Sequence, residues 1–574
     1  MNVKVPSGAD RHYKWTALTL CTVGTLMASI DGSILMISLP DIFRGIGINP
    51  LQPGNSFYLL WLMLGFLVVT SVLVVSLGRL GDMYGRVRMY NLGFLVFTVF
   101  SLALSVTWMH GHAGAIWLIV MRLFQGVGCA MLVANSAAIL TDAFPVEQRG
   151  MANGINQGAA FSGTFIGLVL GGLLAPVSWR LVFIVSVPVG VVGTVWGYLR
   201  LRELAEHHRA KLDWAGNITF ALGLVLVMVG MTYGIEPYGH HAMGWSSPFV
   251  LTCLAVGVAL IIAFAVIEVR VEEPMFRLQL FRIRPFTAGV IASFLAALAR
   301  GGLMFTLIIW LQGIWLPLHG YAFDKTPLYA GLAMLPLTGG LLIGGPASGF
   351  LSDRFGARPF ATGGMLGTAV SFLLLEQLPV DFPYPLFAVL LFFTGIAMAS
   401  FGSPNRTGVM NSLPARDRGA GAGMNTTFMN SAQVLSIGLF FTLMIAGLAS
   451  SLSTSLEHGL AAHGVPAATA THVAHLSPVS TLFAAFLGYD PVRSLVGPQV
   501  FSHLSTAQQS ALTDRSFFPH LISGPFEHGL HLAFAFSIAM SIVAAIASWT
   551  RGALPQTETP VVVLAEVIPA EVGA

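Results

Sequence analysis

The chain has 574 residues, of which 55% are hydrophobic and 9% charged, with a formal net charge of +3. Soluble domains carry about 25% charged residues, so this balance excludes a water-solvated fold and makes the bilayer the solvent. It gives no sign of a nucleic-acid partner, and the three cysteines, Cys21, Cys129 and Cys253, lie in apolar runs without disulfide or metal spacing.

A helix needs about 20 mostly apolar residues to cross the hydrocarbon core. Fourteen such runs follow one another: 15–40, 57–77, 89–109, 115–140, 151–175, 180–200, 214–234, 248–270, 286–316, 328–350, 360–379, 384–410, 420–448 and 527–549. They are numbered here as spans 1 to 14. The first is too long for the core of a signal peptide and reads as a retained span. Connections are short except for 449–526, an Ala-, Ser- and His-rich stretch expected to form a small outer cap or to be partly disordered. Of the 28 Lys and Arg residues, 20 fall on the side of the N-terminus, five on the other side and three, Arg122, Arg300 and Arg406, within spans. This asymmetry predicts a multi-pass protein of the plasma, or inner, membrane with both ends, 1–14 and 550–574, in the cytoplasm.

Span 2 ends in Gly78-Arg79-Leu80-Gly81-Asp82-Met83-Tyr84-Gly85-Arg86, and span 10 ends in Gly349-Phe350-Leu351-Ser352-Asp353-Arg354-Phe355-Gly356. Both sit in predicted cytoplasmic loops, eight spans apart. Glycine permits a tight helix-to-helix turn. The Asp of such a turn is expected to accept from free amides at a neighbouring helix start, with Arg as its ion partner. A repeated loop of this kind points to two related halves.

These loops resemble motif A of the major facilitator superfamily, and the chain is similar to its fourteen-span drug:proton antiporter family, the EmrB/QacA type. Arg122-Leu-Phe-Gln125-Gly126 in span 4 resembles motif B. Gly154, Gly163, Gly167, Gly171 and Gly172 in span 5 have the spacing of the antiporter motif C, with Leu168 where that motif carries a proline. The resemblance implies an all-α fold of two six-helix bundles, 15–200 and 286–549, with two inserted helices at 214–270. It also implies export of small, lipophilic molecules in exchange for protons, without a cofactor, and leaves room for a periplasmic adaptor. The glycines of span 5 would allow close helix contact, and the family likeness adds a role in preventing leak.

Charged groups at membrane depth cost several kcal/mol and are functional candidates. Asp31 lies nine residues before the outer end of span 1 and Arg122 seven residues after the outer start of span 4. At about 1.5 Å per residue their depths agree within roughly 4 Å, so a pair is expected. Protonating Asp31 would release Arg122 and couple protons to transport; a static bridge that only orients helices is the alternative. Arg300, about fourteen residues into span 9, is expected to face a central cavity together with Gln312 and Gln125. An Arg there favours an anionic or zwitterionic group, whereas an Arg bonded to helix carbonyls or to Gln312 would be structural. No phosphate-cradling motif occurs, so an ion or substrate gradient must drive the work. The absence of Gly-x-Ser-x-Gly, His-Glu-x-x-His and Gly-x-Gly-Asp speaks against an embedded enzyme. An exporter of lipid-like, peptide-like or anionic metabolites, and a non-transporting sensor, remain as alternatives.

Overall fold

The computed structural model describes residues 8–552 apart from 50–51, 53, 146–147, 205–212, 240, 242, 272–273, 275, 415–416, 488–491 and 493–495. The terminal segments 1–7 and 553–574, the loop cations Arg209, Lys211, Arg416 and Arg493, and the side chain of Asp353 lie outside the described residues. The described chain is helical, with one isolated bridge between Tyr238 and His241.

Among the described residues, fourteen helices are long and apolar enough to cross a membrane. Spans 1 to 7 are His12–Ile46, Asn55–Tyr84, Arg86–Ser105, Gly111–Ala143, Met151–Leu174, Leu181–Arg200 and Trp214–Gly234. Spans 8 to 14 are Pro248–Arg270, Arg284–Leu318, Thr326–Ser352, Ala357–Glu376, Tyr384–Asn411, Ala420–Ala449 and Phe517–Trp549. Span 14 starts ten residues earlier than its apolar run predicts, because the helix continues through Pro525 and buries Phe517, Phe518 and Ile522. With an even number of crossings, Gly8 and Gly552 share one side, the terminal side; the segment between spans 13 and 14 lies on the other, the cap side.

Helix contacts repeat along the chain. Span 1 packs on span 5, span 2 on span 4, and span 3 on spans 4 and 6; span 9 packs on span 13, span 10 on span 12, and span 11 on spans 12 and 14. Each pair thus recurs eight spans later. Spans 7 and 8 pair with each other, and span 7 wedges between span 2 and span 13. Ser76 donates to the Asn217 side-chain oxygen there, Trp61 Nε1 donates to Thr232 Oγ1 at 3.4 Å, and Gly438 lies against Met228 and Met231.

Span 9 is not one continuous helix. It runs Arg284–Arg300, breaks at Gly301-Gly302, resumes at Leu303–Ile309, and passes through a π-helical turn at Trp310–Trp315. The two glycines let span 13 come in close: a Cβ on Gly301 would stand 2.7 Å from Ser436 Cβ and 2.8 Å from the Gln433 carbonyl oxygen. Ser436 satisfies backbone groups at the break, accepting from Gly302 N–H at 3.0 Å and donating to Leu298 O at 2.5 Å. Irregular backbone at membrane depth requires such protein partners.

The segment between spans 13 and 14 folds into short helices at Leu452–Ala462, Ala467–Ala474, Pro478–Phe486, Pro498–His503 and Thr506–Leu512. Helix Pro478–Phe486 is buried along its whole length and packs on span 13, span 2 and the π turn of span 9. Its Phe483 and Phe486 rings lie 5.5 Å and 5.7 Å from those of Phe441 and Phe305.

The two halves meet toward the cap side. Gly172 of span 5 abuts the Leu328 backbone of span 10, a Cβ on Gly331 would lie 3.0 Å from Leu168 O, and Gln312 Nε2 donates to Ile37 O at 3.4 Å. Gly154 and Gly158 lie 18 and 14 residues before Gly172, hence within roughly 40° of the same helix face at 100° per residue. A Cβ on either would meet nothing within 4 Å. The face that touches the second half at the cap end therefore opens on empty space at the terminal end, which makes a crevice open to the terminal side.

Candidate functional site

In the first half, span 1 carries Asp31 toward spans 3 and 4. Asp31 Oδ2 accepts from Arg122 Nη1, and Asp31 Oδ1 accepts from Gln125 Nε2 at 2.9 Å. Gln125 Oε1 accepts from Arg122 Nη1 at 2.5 Å, while its amide nitrogen also donates to Ser101 Oγ at 2.8 Å. The Arg122 guanidinium lies 4.3 Å over the Phe66 ring. Depth agreement in the sequence anticipates this pair, and Gln125 completes it as a triad. Asp31 and Arg122 are each 1% exposed and Gln125 is fully buried, so the cluster is sealed from water in this conformation. Gln125 is thereby a partner of the ion pair rather than a lining residue of the crevice. Arg122 Nε has no acceptor among the described residues, which leaves the cation incompletely satisfied. One residue on, a Cβ at Gly32 would meet nothing within 4 Å, so the crevice runs along the next face of span 1.

In the second half, Gln312 sits in the π turn, fully buried, with its amide on Ile37 O. It stitches the halves together at the cap side and does not line the crevice, because the π turn rotates it toward span 1. Arg300 is half-buried at the end of the helix preceding the Gly301-Gly302 break. It has neither an ion pair nor a hydrogen bond among the described residues, Gln312 included. Ser293, seven residues earlier on nearly the same face, accepts from Asn405 Nδ2 of span 12 at 2.7 Å. The face carrying Arg300 thus looks toward span 12 and away from lipid.

Span 12 turns Gly402 and Arg406 to the same interior. Phe393 marks its lipid face at 56% exposure, and Gly402 follows nine residues later, roughly 180° around the helix. Arg406 is exposed about 140° from Phe393 and also has no partner among the described residues. It points to the same interior as Gly402. Span 13 adds Thr426, Asn430 and Gln433, the first two half-buried and the last exposed. Their four- and three-residue spacing inside an apolar run is the signal that could have found them. Two residues past span 14, Arg551 Nη2 donates to the Asn405 side-chain oxygen Oδ1, and its burial pulls the guanidinium down to about 10.

The motif loops form tight turns at the terminal side. Gly85 and Gly356 have φ of 111° and 87°, a region that favours glycine. Arg86 Nε bonds Asp82 Oδ1 at 2.8 Å and its Nη1 bonds both Asp142 oxygens at 2.7 and 2.8 Å. The helix-start amides are taken by Glu203, not Asp82: its oxygens accept from Arg86 N at 3.1 Å and Val87 N at 3.0 Å. Asp82, in the last turn of span 2, instead holds Arg86 at the start of span 3, so the arginine occupies it. A Cβ on Gly78 would stand 3.5 Å from Ala134, and one on Gly349 3.1 Å from Ser403 Oγ, so both glycines face a neighbouring span. Of the span 5 glycines, Gly163, Gly167 and Gly171 press on the carbonyls of Leu26, Ile30 and Ile34, stepping by four residues on both helices. Gly172 seals against span 10, while Gly154 contacts nothing and belongs to the crevice wall. Among the described residues no cluster of three His, Cys, Asp or Glu could hold a metal.

Fourteen spans, a contact pattern repeated at eight spans and a one-sided crevice define a membrane transporter fold. A family profile described as Major Facilitator Superfamily matches residues 21–437 and 289–552, and the chain belongs to that superfamily. It is 26% identical over 558 residues to the tetracenomycin C resistance and export protein of Streptomyces glaucescens, covering 97% of this chain and 95% of that protein. It is 28% identical to the riboflavin transporter RibZ of Clostridioides difficile (strain 630), over 76% of this chain and 89% of the relative. The puromycin resistance protein pur8 of Streptomyces alboniger is 27% identical over 82% and 88%. Its fourteen spans fit the fourteen-span drug-efflux type, and these relatives are transporters rather than enzymes. In fold it is similar to a bacterial homologue of the human lysosomal transporter Spinster, with a TM-score of 0.56 at 15% identity over 95% of this chain and 97% of that one.

Proposed function

We propose that this transporter exports small molecules in exchange for protons across the plasma, or inner, membrane, with its terminal side in the cytoplasm. The observation that carries the reading is the sealed Asp31–Arg122–Gln125 cluster. A proton moving from the crevice to the Asp31 carboxylate removes the charge that balances Arg122. A buried cation left without its partner costs roughly 3–5 kcal/mol. Protonation thereby raises the energy of this closed arrangement and favours one in which span 4 shifts and Arg122 finds water or substrate. The excess of Lys and Arg on the terminal side supports its cytoplasmic placement. The names of the relatives suggest the first compounds to try.

The test uses everted vesicles from a strain lacking its own pumps, supplied with riboflavin, tetracenomycin C and puromycin, with and without an imposed pH gradient. At least one compound accumulates, accumulation collapses with nigericin, and Asp31→Asn removes the pH dependence while the protein remains inserted. Gradient-driven accumulation of the same compound by Asp31→Asn at the native rate refutes the coupling role.

A further inference from the structure

The charge distribution of the two halves is unequal. In the first, Asp31 and Arg122 neutralise each other and are sealed. In the second, spans 9, 12 and 13 contain no Asp or Glu at all, yet Arg300 and Arg406 both face the interior. Arg300 has no ion pair among the described residues. An unpaired cation at membrane depth is costly and persists where it lines a watered path or meets an opposite charge. Beside it stands a row of side chains without hydrogen-bond partners among the described residues. Gly301 lies against the backbone of Gln433, and Asn430 and Thr426 follow on the same side of span 13, one and two turns toward the mouth. All three present amide or hydroxyl groups to the same space.

We propose that Arg300 is an anion-binding residue at the apex of the crevice, and that the transported molecule presents a carboxylate or phosphate to it. The inference rests on the reading of this crevice as the transport path. Guanidinium matches both anions through two parallel N–H donors. Gln433, Asn430 and Thr426 then receive the hydrogen-bonding body of the molecule. Arg406 stands nearer the mouth: Asn405 meets span 9 at Gly289 and Ser293. Arg300 is seven to eleven residues further along, roughly 10–17 Å deeper at 1.5 Å per residue. It is therefore an attracting charge at the entrance rather than a second ligand to the same anion.

Binding to the purified full-length protein in phosphatidylcholine nanodiscs separates this from the transport reading. The probes are fluorescein, a dianion at pH 7.5, and rhodamine 110 used as its methyl ester, a cation on the same xanthene frame without the carboxylate. Fluorescein binds saturably and more tightly than rhodamine 110, and its affinity falls with added salt. Arg300→Gln weakens fluorescein at least tenfold and leaves rhodamine 110 within twofold; Arg300→Lys restores part of the loss. Arg406→Gln slows fluorescein association and flattens its salt dependence. Nanodiscs doped with phosphatidylglycerol divide the sources of the anion. Arg300-dependent displacement of fluorescein assigns the site to an anionic lipid headgroup, and undisturbed binding assigns it to a free solute. Absence of saturable fluorescein binding, preference for rhodamine 110, or an Arg300→Gln protein that binds fluorescein like the native one overturns the proposal. The transport reading stands or falls separately, on gradient-driven accumulation in vesicles.

Discussion

Replacing Asp31 by Asn tests whether the first-half cluster is held by charge. Asn keeps the shape and can still face Gln125, so little is lost in packing. The guanidinium of Arg122 stays 1% exposed, with Gln125 Oε1 at 2.5 Å as its neutral acceptor and Nε still unmatched. Removing one member of a buried pair costs about 3–5 kcal/mol, because the other charge is left uncompensated. The Phe66 face, 4.3 Å from the guanidinium, is present before and after and does not change the difference. Arg122→Gln alone strands the carboxylate and costs about the same. The double variant has no stranded charge and recovers most of the loss, so the coupling energy is at least ~2 kcal/mol. Reversible unfolding of the four proteins in mixed micelles, followed by tryptophan fluorescence, measures the cycle. Additivity of the two single changes to within about 0.5 kcal/mol, as for independent sites, would show that the two charges do not sustain one another.

Three further outcomes follow from particular contacts. A Cβ on Gly167 collides with Ser33 Oγ and comes to 2.5 Å from Ile30 O, whereas one on Gly154 meets nothing; Gly167→Ala therefore lowers the melting temperature, at about 1–3 kcal/mol for overpacking, and Gly154→Ala leaves it unchanged in the same melt. Burial raises Glu236, beyond the end of span 7, above its ordinary value of 4.5, partly offset by Ser56. The folded state then holds this proton more tightly than the unfolded one, so its contribution to stability is present below 4.5 and is lost as pH climbs through the raised value; Glu236→Gln is the more stable protein at pH 7.5 and the less pH-dependent one in melts from pH 4 to 8. Phe486→Ala opens a void where the buried cap helix meets Phe305, costing about 3–5 kcal/mol. It makes a cysteine placed at Gly313 reactive to a membrane-impermeant maleimide, and unchanged labelling would deny that this helix seals the cap side.

The spans were legible because crossing a bilayer demands length and apolarity, both properties of a local stretch. The loop turns were legible for a related reason: Gly85 and Gly356 occupy backbone angles that few other residues tolerate. Helix faces were not. Lipid tails are as apolar as a protein interior, so a span carries no contrast between its buried and its lipid sides. That is why Gln125 and Gln312 read as lining residues, although one completes an ion pair and the other bonds Ile37 O. The break at Gly301-Gly302 was hidden in the same way, since two glycines in an apolar run do not reveal that Ser436 will supply the missing partners. The cap was the least legible part: its helices of 6 to 11 residues are too short to form on propensity and are held by contacts with distant spans.

The repeat explains why those charges matter. Each half places a charged side chain of its leading span, Asp31 in span 1 and Arg300 in span 9, on the face turned to the fourth helix of its own bundle. Span 4 answers Asp31 with Arg122 and Gln125. Span 12 offers Arg300 no acid, because its single charged residue is another arginine. The packing is duplicated and the electrostatics are not. A neutral cluster can open and close with one proton, whereas a lone cation responds to whatever anion arrives. If proton and substrate act on opposite halves, they are coupled through the contacts that join the halves at the cap side. Weakening those contacts, with Gln312→Leu removing the bond to Ile37 O, should then leave fluorescein binding intact while uncoupling it from pH. A native pH response of binding in Gln312→Leu would place the link between the halves elsewhere.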